Sequence, residues 1–239
     1  MLCGQSCLLN DNRGNPNRVI WVGSSKQKNL GYVYGDRLLI ERFASDWTSG
    51  HMYGISVSRK NLNINDDHIS ILCSIKHKNI MRVYRFCKCT VEVEYISNAW
   101  LFNSHKESYI LFHEAYQYDF LDNCRHRELI HALRAIHEGL KYLHNIGILH
   151  TDLTDFNVMV DKETRRPIII DLLGSIPVKS QIFDFKKDIW VFIHHFLVPT
   201  LIRTGLYISS EINFYFIDYS HVEVSEYLSK VENRLLSMN

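Results

Sequence analysis

Several things are scarce in this 239-residue chain. Its 27 lysines and arginines stand against 26 aspartates and glutamates, and the formal net charge of +1 shows none of the one-sided excess of a nucleic-acid or membrane-surface binder. Neither partner is expected. No run reaches the roughly 18 to 20 apolar residues that cross a bilayer. The nearest candidate, Ile189 to Ile202, is broken by His194, His195 and Pro199. Met1 to Asn15 has no basic segment leading into an apolar core, so no secretory signal is expected and the location is read as intracellular, cytoplasm or nucleus. The six cysteines, Cys3, Cys7, Cys73, Cys87, Cys89 and Cys124, are too sparse for a disulfide scaffold. Cys3 with Cys7, and Cys87 with Cys89, each lack a second pair at zinc-ligand spacing, so free thiols are expected. What remains, 46% hydrophobic and 22% charged residues, is ordinary globular composition, long enough for one sizeable domain or two small lobes.

The hydrophobic period changes once along the chain. Residues 1–18 are rich in Asn, Gly, Ser and Pro and read as a loosely held leader. From Val19 to about Tyr116 strands dominate: Val19 to Val22, then Tyr32 to Tyr34, a Gly35-Asp36 turn and Leu38 to Ile40. Asp66 to Ile75 reads as a helix end, and strands are expected at Ile80 to Phe86 and Tyr109 to Phe112. After Asp122, Leu129, Leu133, Ile136, Leu140 and Leu143 step by four and three along one helix face that stops near Gly147. Short apolar strands follow at Ile148-Leu149, Val158 to Val160 and Ile168 to Ile170. A buried helix is expected from Asp184 to Leu197, and a last amphipathic one carries Val224, Tyr227, Leu228, Val231 and Leu235.

The chemistry-bearing stretch is His150-Thr151-Asp152-Leu153-Thr154-Asp155-Phe156-Asn157, followed by Ile168-Ile169-Ile170-Asp171. Singly, an Asp or Asn beside a turn closes an Asx-turn or caps a helix more often than it binds metal. Together they resemble a protein kinase: His150, Asp152, Leu153 and Asn157 match the catalytic loop H-R-D-L-x-x-x-N, and Asp171 stands at the metal-binding aspartate. The resemblance implies an α+β, bilobal fold, with a small mostly-β lobe over 19–116 and an abbreviated mostly-α lobe over 117–239. It also implies ATP and Mg2+ as cofactors. Asp152 is then the base that accepts the substrate hydroxyl's proton, and Asn157 and Asp171 hold the metal that neutralises phosphate charge. Ile69 to Ile80 is similar to the end of the family's regulatory helix and the turn after it, and Tyr109 to Glu114 to the strand and hinge, with Phe112 as gatekeeper. Val22, Gly23, Val33 and Phe112 are thereby the expected nucleotide contacts. Thr154, where serine/threonine kinases usually carry lysine, is closer to viral kinases of the herpesvirus type.

Departures from the family pattern cluster in the first half. Gly23-Ser24-Ser25 and Gly31-Tyr32-Val33 would be two ends of a stretched glycine-rich loop, at the wrong spacing for G-x-G-x-x-G. Two registers are open for the strand that should bear the ATP-gripping lysine: Leu38 to Phe43 puts Glu41 there, and Tyr53 to Val57 puts Ser56 there. The hairpin register with Glu41 is preferred, and Glu41 in the cleft would repel phosphates. His68 takes the place of the helix glutamate. Asp188-Ile189-Trp190 resembles the start of the family's central large-lobe helix, yet follows Asp171 so closely that the activation segment is little more than a turn. The expected function is a divergent ATP-dependent serine/threonine kinase acting on a protein substrate. The alternative is a pseudokinase that scaffolds a partner such as a host protein.

Overall fold

The computed structural model describes residues 18–24, 27–34, 36–41, 51–52, 55–56, 66–86, 90–94, 96, 99–102, 120–172, 175–178, 182–206 and 216–237. The expected leader, the Tyr109 to Glu114 strand and hinge, and most of the Tyr53 to Val57 register lie outside them.

The small lobe is a five-stranded antiparallel sheet in the order β1-β2-β3-β7-β6. Its strands are β1 (Arg18–Ser24), β2 (Gln27–Tyr34), β3 (Arg37–Glu41), β6 (Val83–Phe86) and β7 (Thr90–Glu94). The first three form a meander: Ser24 pairs with Gln27, and Tyr34 with Arg37 across the expected Gly35-Asp36 turn. Gly31 is paired on both sides, to Ile20 and Ile40, and Gly23 to Lys28, so the two glycines of the expected glycine loop stand on the adjacent strands of one hairpin. A separate two-stranded hairpin joins β4 (His51–Met52) to β5 (Ile55–Ser56).

One cross-strand row runs Val33–Leu38–Val93–Val83. Val83 and Val93, each 1% exposed, share a core cluster with Leu72 and Ile75 of the helical segment α1 (Asp66–Ser74) and its exit. Side chains alternate across a strand. Positions 37, 39 and 41 therefore take the opposite face from Val93. On that face Leu39 is buried and Arg37 donates to Glu92 Oε1 at 3.0 Å. Position 41, paired with Thr90, takes the strand face opposite Val93. The positions of β3 on the α1 side are Leu38 and Ile40.

The strand expected from Ile80 begins only at Val83. Residues 79–81 spend their backbone on the other lobe instead: Ile169 N–H donates to Asn79 O and Met81 N–H donates to Ile169 O, both at 2.8 Å. Asn79 adds a buried side-chain bond from Nδ2 to Pro167 O. β8 (Ala99–Leu101) pairs with β10 (Val158–Asp161), which pairs with β11 (Pro167–Ile169).

The second lobe is built on α2 (His126–Asn145). Its predicted apolar stripe, Leu129, Leu133, Ile136, Leu140 and Leu143, is wholly buried. Glu128 accepts the N–H of Arg125 to cap its start, and Gly147, at φ +75°, turns the chain out of its end in the left-handed conformation that suits glycine. Gly139 lets the helix approach β11 closely, because a Cβ there would lie 2.8 Å from Ile169 Cδ1. The expected helix over 184–197 is α3 (Ile182–Phe192) opening into a π turn (Ile193–Leu197) before α4 (Val198–Arg203). Pro199, which has no N–H and crowds the carbonyl four residues back, accounts for the widened turn. The last helix, α5 (His221–Ser237), packs along α2 and buries Val224, Tyr227, Leu228 and Val231 as expected. Its start is a capping box the sequence reading passed over. Glu223 accepts N–H bonds from Ile217, Asp218 and Ser220, and Ser220 Oγ accepts one from Glu223. Among the described residues no helix is long and apolar enough to cross a membrane.

Candidate active site

The loop after β9 (Ile148–Leu149) carries the site, and its shape is held from α3. Asp188, buried, accepts the N–H of Thr151 on Oδ1 and that of His150 on Oδ2, both at 2.8 Å. His144 Nε2 donates to the same Oδ2 at 2.8 Å, and this charged hydrogen bonding holds the Asp188 pKa below the usual carboxylate range against the opposing effect of burial. Thr151 has φ +70°, a region a β-branched residue adopts only when its surroundings impose it. Asp188 supplies that constraint. The sequence marked Asp188 as a helix-start signature, whereas the structure makes it the anchor of the loop.

His150 is buried, and its Nε2–H donates to Ile170 O at 3.0 Å. That bond, with Ile170 N–H donating to Asn157 O at 2.9 Å, ties the two halves of the motif together. Asn157 turns its amide Nδ2 toward Asp152, donating to the backbone oxygen at 2.7 Å and to Oδ2 at 3.3 Å. Asp152 is exposed at the rim, with its pKa raised by desolvation of the carboxylate and held back by His150, the Asn157 bond and His195. His195, from the π turn, is a titratable neighbour of the candidate base that sequence reading missed. No motif announces it, because the π turn brings it there.

Asp171 is buried at φ +67°, directly after β11. Burial first, then the neighbouring Asp152 carboxylate, push its pKa well above the ordinary value. Its Oδ1 and the Oδ1 of Asn157 are both buried without a hydrogen-bond partner. Two such acceptors beside a carboxylate are costly in a folded protein unless a ligand fills them. Hard oxygen donors of this kind suit a magnesium ion.

On the small-lobe side the expected residues are less concentrated. His68 is buried on α1, its pKa lowered by burial. Ser175 Oγ gives its proton to Leu172 O at 2.6 Å, so the 3.4 Å contact of His68 Nε2 with that Oγ is a donation from the imidazole. The residue at the helix-glutamate position thus joins the segment just after Asp171 as a neutral ring. Val22 falls on the same strand face as Val33 and Val93, Gly23 on the other. Phe112 lies outside the described residues.

A family model described as protein kinase domain matches residues 55–215, about two thirds of the chain. The chain belongs to the protein kinase family. No curated protein matches it. The matched span contains Asp152, Asn157, Asp171 and Asp188, and leaves out β1 to β4 and α5.

Proposed function

We propose that this kinase is a divergent ATP- and Mg2+-dependent enzyme of the serine/threonine type, transferring a phosphoryl group to a protein hydroxyl. The observation that carries the reading is the pair of buried, unpartnered Oδ1 atoms on Asn157 and Asp171 beside an exposed Asp152. In this reading Asn157 and Asp171 hold magnesium, which neutralises phosphate charge, and Asp152 accepts the acceptor hydroxyl's proton. The Asn157 amide, by holding Asp152 Oδ2, aims the base. Because the chain leaves the small-lobe sheet after Glu94 and is paired with the large lobe by Ala99, the proposed nucleotide contacts gain Val93 and Ile96. These join Val22 and Val33, with Gly23 and Phe112 as further candidates. The herpesvirus-type likeness rests on Thr154 and on the abbreviated segments that follow the loop.

A second reading, a pseudokinase that binds nucleotide or a partner protein, is favoured by one observation. The β3 positions on the α1 side are Leu38 and Ile40, so this strand presents no lysine beside β7, and His68 is buried where a glutamate would pair with one. Thermal unfolding with ATP, with ATP and Mg2+, and with ATP in EDTA separates the two. Ligand at 100 times its dissociation constant adds about 2.7 kcal/mol of apparent stability. The enzyme reading expects that gain only with Mg2+ and expects Asp171→Asn to abolish it. An equal gain in EDTA supports the pseudokinase, and no gain in any condition overturns nucleotide binding altogether.

A further inference from the structure

Behind the catalytic loop runs a chain of three imidazoles that the proposed chemistry does not use. His137 and His144 lie seven residues apart on α2, about 10.5 Å along the axis at 1.5 Å per residue, and therefore on one face. His221, the first residue of α5, sits between them. Its Nδ1 is 2.9 Å from His137 Nε2, and its Nε2 is 2.9 Å from His144 Nδ1. His144 Nε2 then meets Asp188 Oδ2, the oxygen that also holds the His150 N–H. Arg134, one turn before His137, donates to Ser229 Oγ at 3.0 Å and Glu232 Oε2 at 2.7 Å, which pins α5 on α2 in the register this insertion needs.

Only one neutral arrangement satisfies every contact. Asp188 is an ionised acceptor, so His144 must carry its proton on Nε2 and leave Nδ1 bare. His221 must then donate from Nε2, which bares its own Nδ1, and His137 must donate from Nε2 in turn. Burial first, then the neighbouring imidazole and the Lys141 cation, lower His137 to about 3 and His221 to about 4, so both are neutral near pH 7. With the opposite tautomer, His144 would turn a lone pair toward the Asp188 carboxylate and push away the group that constrains Thr151.

We propose that His221, backed by His137, is a positioning residue for the catalytic loop: it locks the His144 tautomer that holds Asp188, making α5 a working part of the active site. The helix lies outside the span matched to the family, so the device belongs to this chain's own C-terminal segment. The word catalytic here rests on the kinase reading above; the tautomer lock itself does not.

The test is 15N NMR of the full chain labelled at histidine, with amide exchange at His150 and Thr151, on wild type, His221→Phe and His221→Gln. Wild type is expected to show Nε2–H and bare Nδ1 for His137, His144 and His221. The Phe variant keeps a ring but no donor, and should mix the His144 tautomers and speed Thr151 exchange by roughly tenfold. Gln, whose amide can donate to His144 Nδ1, should restore both. A wild-type His144 protonated on Nδ1, or a folded Phe variant with unchanged exchange and His144 tautomer, overturns the proposal. Should the Phe variant fail to fold, the wild-type tautomers and the Gln rescue still decide it. Magnesium-dependent nucleotide stabilisation, measured on the same wild-type sample, fails or succeeds separately and judges the kinase reading alone.

Discussion

The two faces of the proposed cleft are built by different means. On the large-lobe side, Asp152, Asn157 and Asp171 come from one 22-residue stretch, from His150 to Asp171, whose strands pair with each other and whose loop is fixed by a single buried carboxylate, Asp188. On the small-lobe side, the residues facing α1 are chosen by the register of four strands, and the row that results, Val33–Leu38–Val93–Val83, is apolar throughout. A polar site assembled from neighbours in sequence keeps its donors and acceptors matched even when the chain has diverged elsewhere. A site assembled across a sheet changes character when one strand shifts by a residue, because every side chain then changes face.

The contrast breaks most visibly at Asp152. Asp152→Asn should lower turnover by about 10² to 10⁴ while leaving nucleotide affinity nearly unchanged, as expected of a base that faces the acceptor rather than the phosphates. Steady-state kinetics with a direct nucleotide-binding measurement checks it, and a matching loss of binding would count against the placement of the loop. Asp188→Ala comes next. It strips the acceptor from His150 N–H, Thr151 N–H and His144 Nε2 together, and should cost about 3 to 5 kcal/mol in denaturant unfolding, the scale for leaving three buried donors unsatisfied at about 1 to 3 kcal/mol each, with partial relaxation. A loss below about 1 kcal/mol would mean the loop does not need its anchor.

The pH response sharpens the same contrast. His137 and His221 titrate in the folded state at about 3 and about 4, below the ordinary histidine value of 6.5. The unfolded chain therefore takes up protons first as pH falls, and stability drops from pH 6.5 toward 4, by an amount on the order of a few kcal/mol. Asp188, lowered in the folded state, adds to the loss only as pH falls past the usual carboxylate range. Asp171 acts in the opposite sense: its raised pKa lets the fold keep a proton the unfolded chain has released, so its contribution falls as pH rises. His137→Phe should flatten the 6.5-to-4 slope, measured by urea midpoints across pH. The smallest effect is expected on the other face. Glu41→Lys, at a position turned from α1, should change ATP affinity by less than about fivefold, the reach of a solvent-screened charge. A large tightening would restore Glu41 to the cleft.

What could be read from the sequence follows from distance along the chain. The α2 stripe was legible because a 3.6-residue period over Leu129 to Leu143 has no alternative burial, and Asp152, Asn157 and Asp171 were singled out by resemblance to the family's catalytic-loop pattern between short strands. The β2–β3 hairpin was visible in its Gly-Asp turn. The pairing of Ala99 to Leu101 was not: it and Tyr109 to Phe112 are both short apolar runs, and only the fold shows the former pairing with β10. Nor did the sequence show which face Glu41 takes, since that depends on the register with β7.

The sequence by itself determined which groups carry charge and donors within the 150–171 stretch, because local geometry there is set by residues a few positions apart. Tertiary structure alone decided that His221, over seventy residues from His144, stands between it and His137, and that Asp188 closes on two loop amides. Hydrogen bonds of this kind depend on the packing of α5 against α2 and of α3 beneath the loop, and a buried donor accepts a partner from any point in the chain that the fold brings within 3 Å.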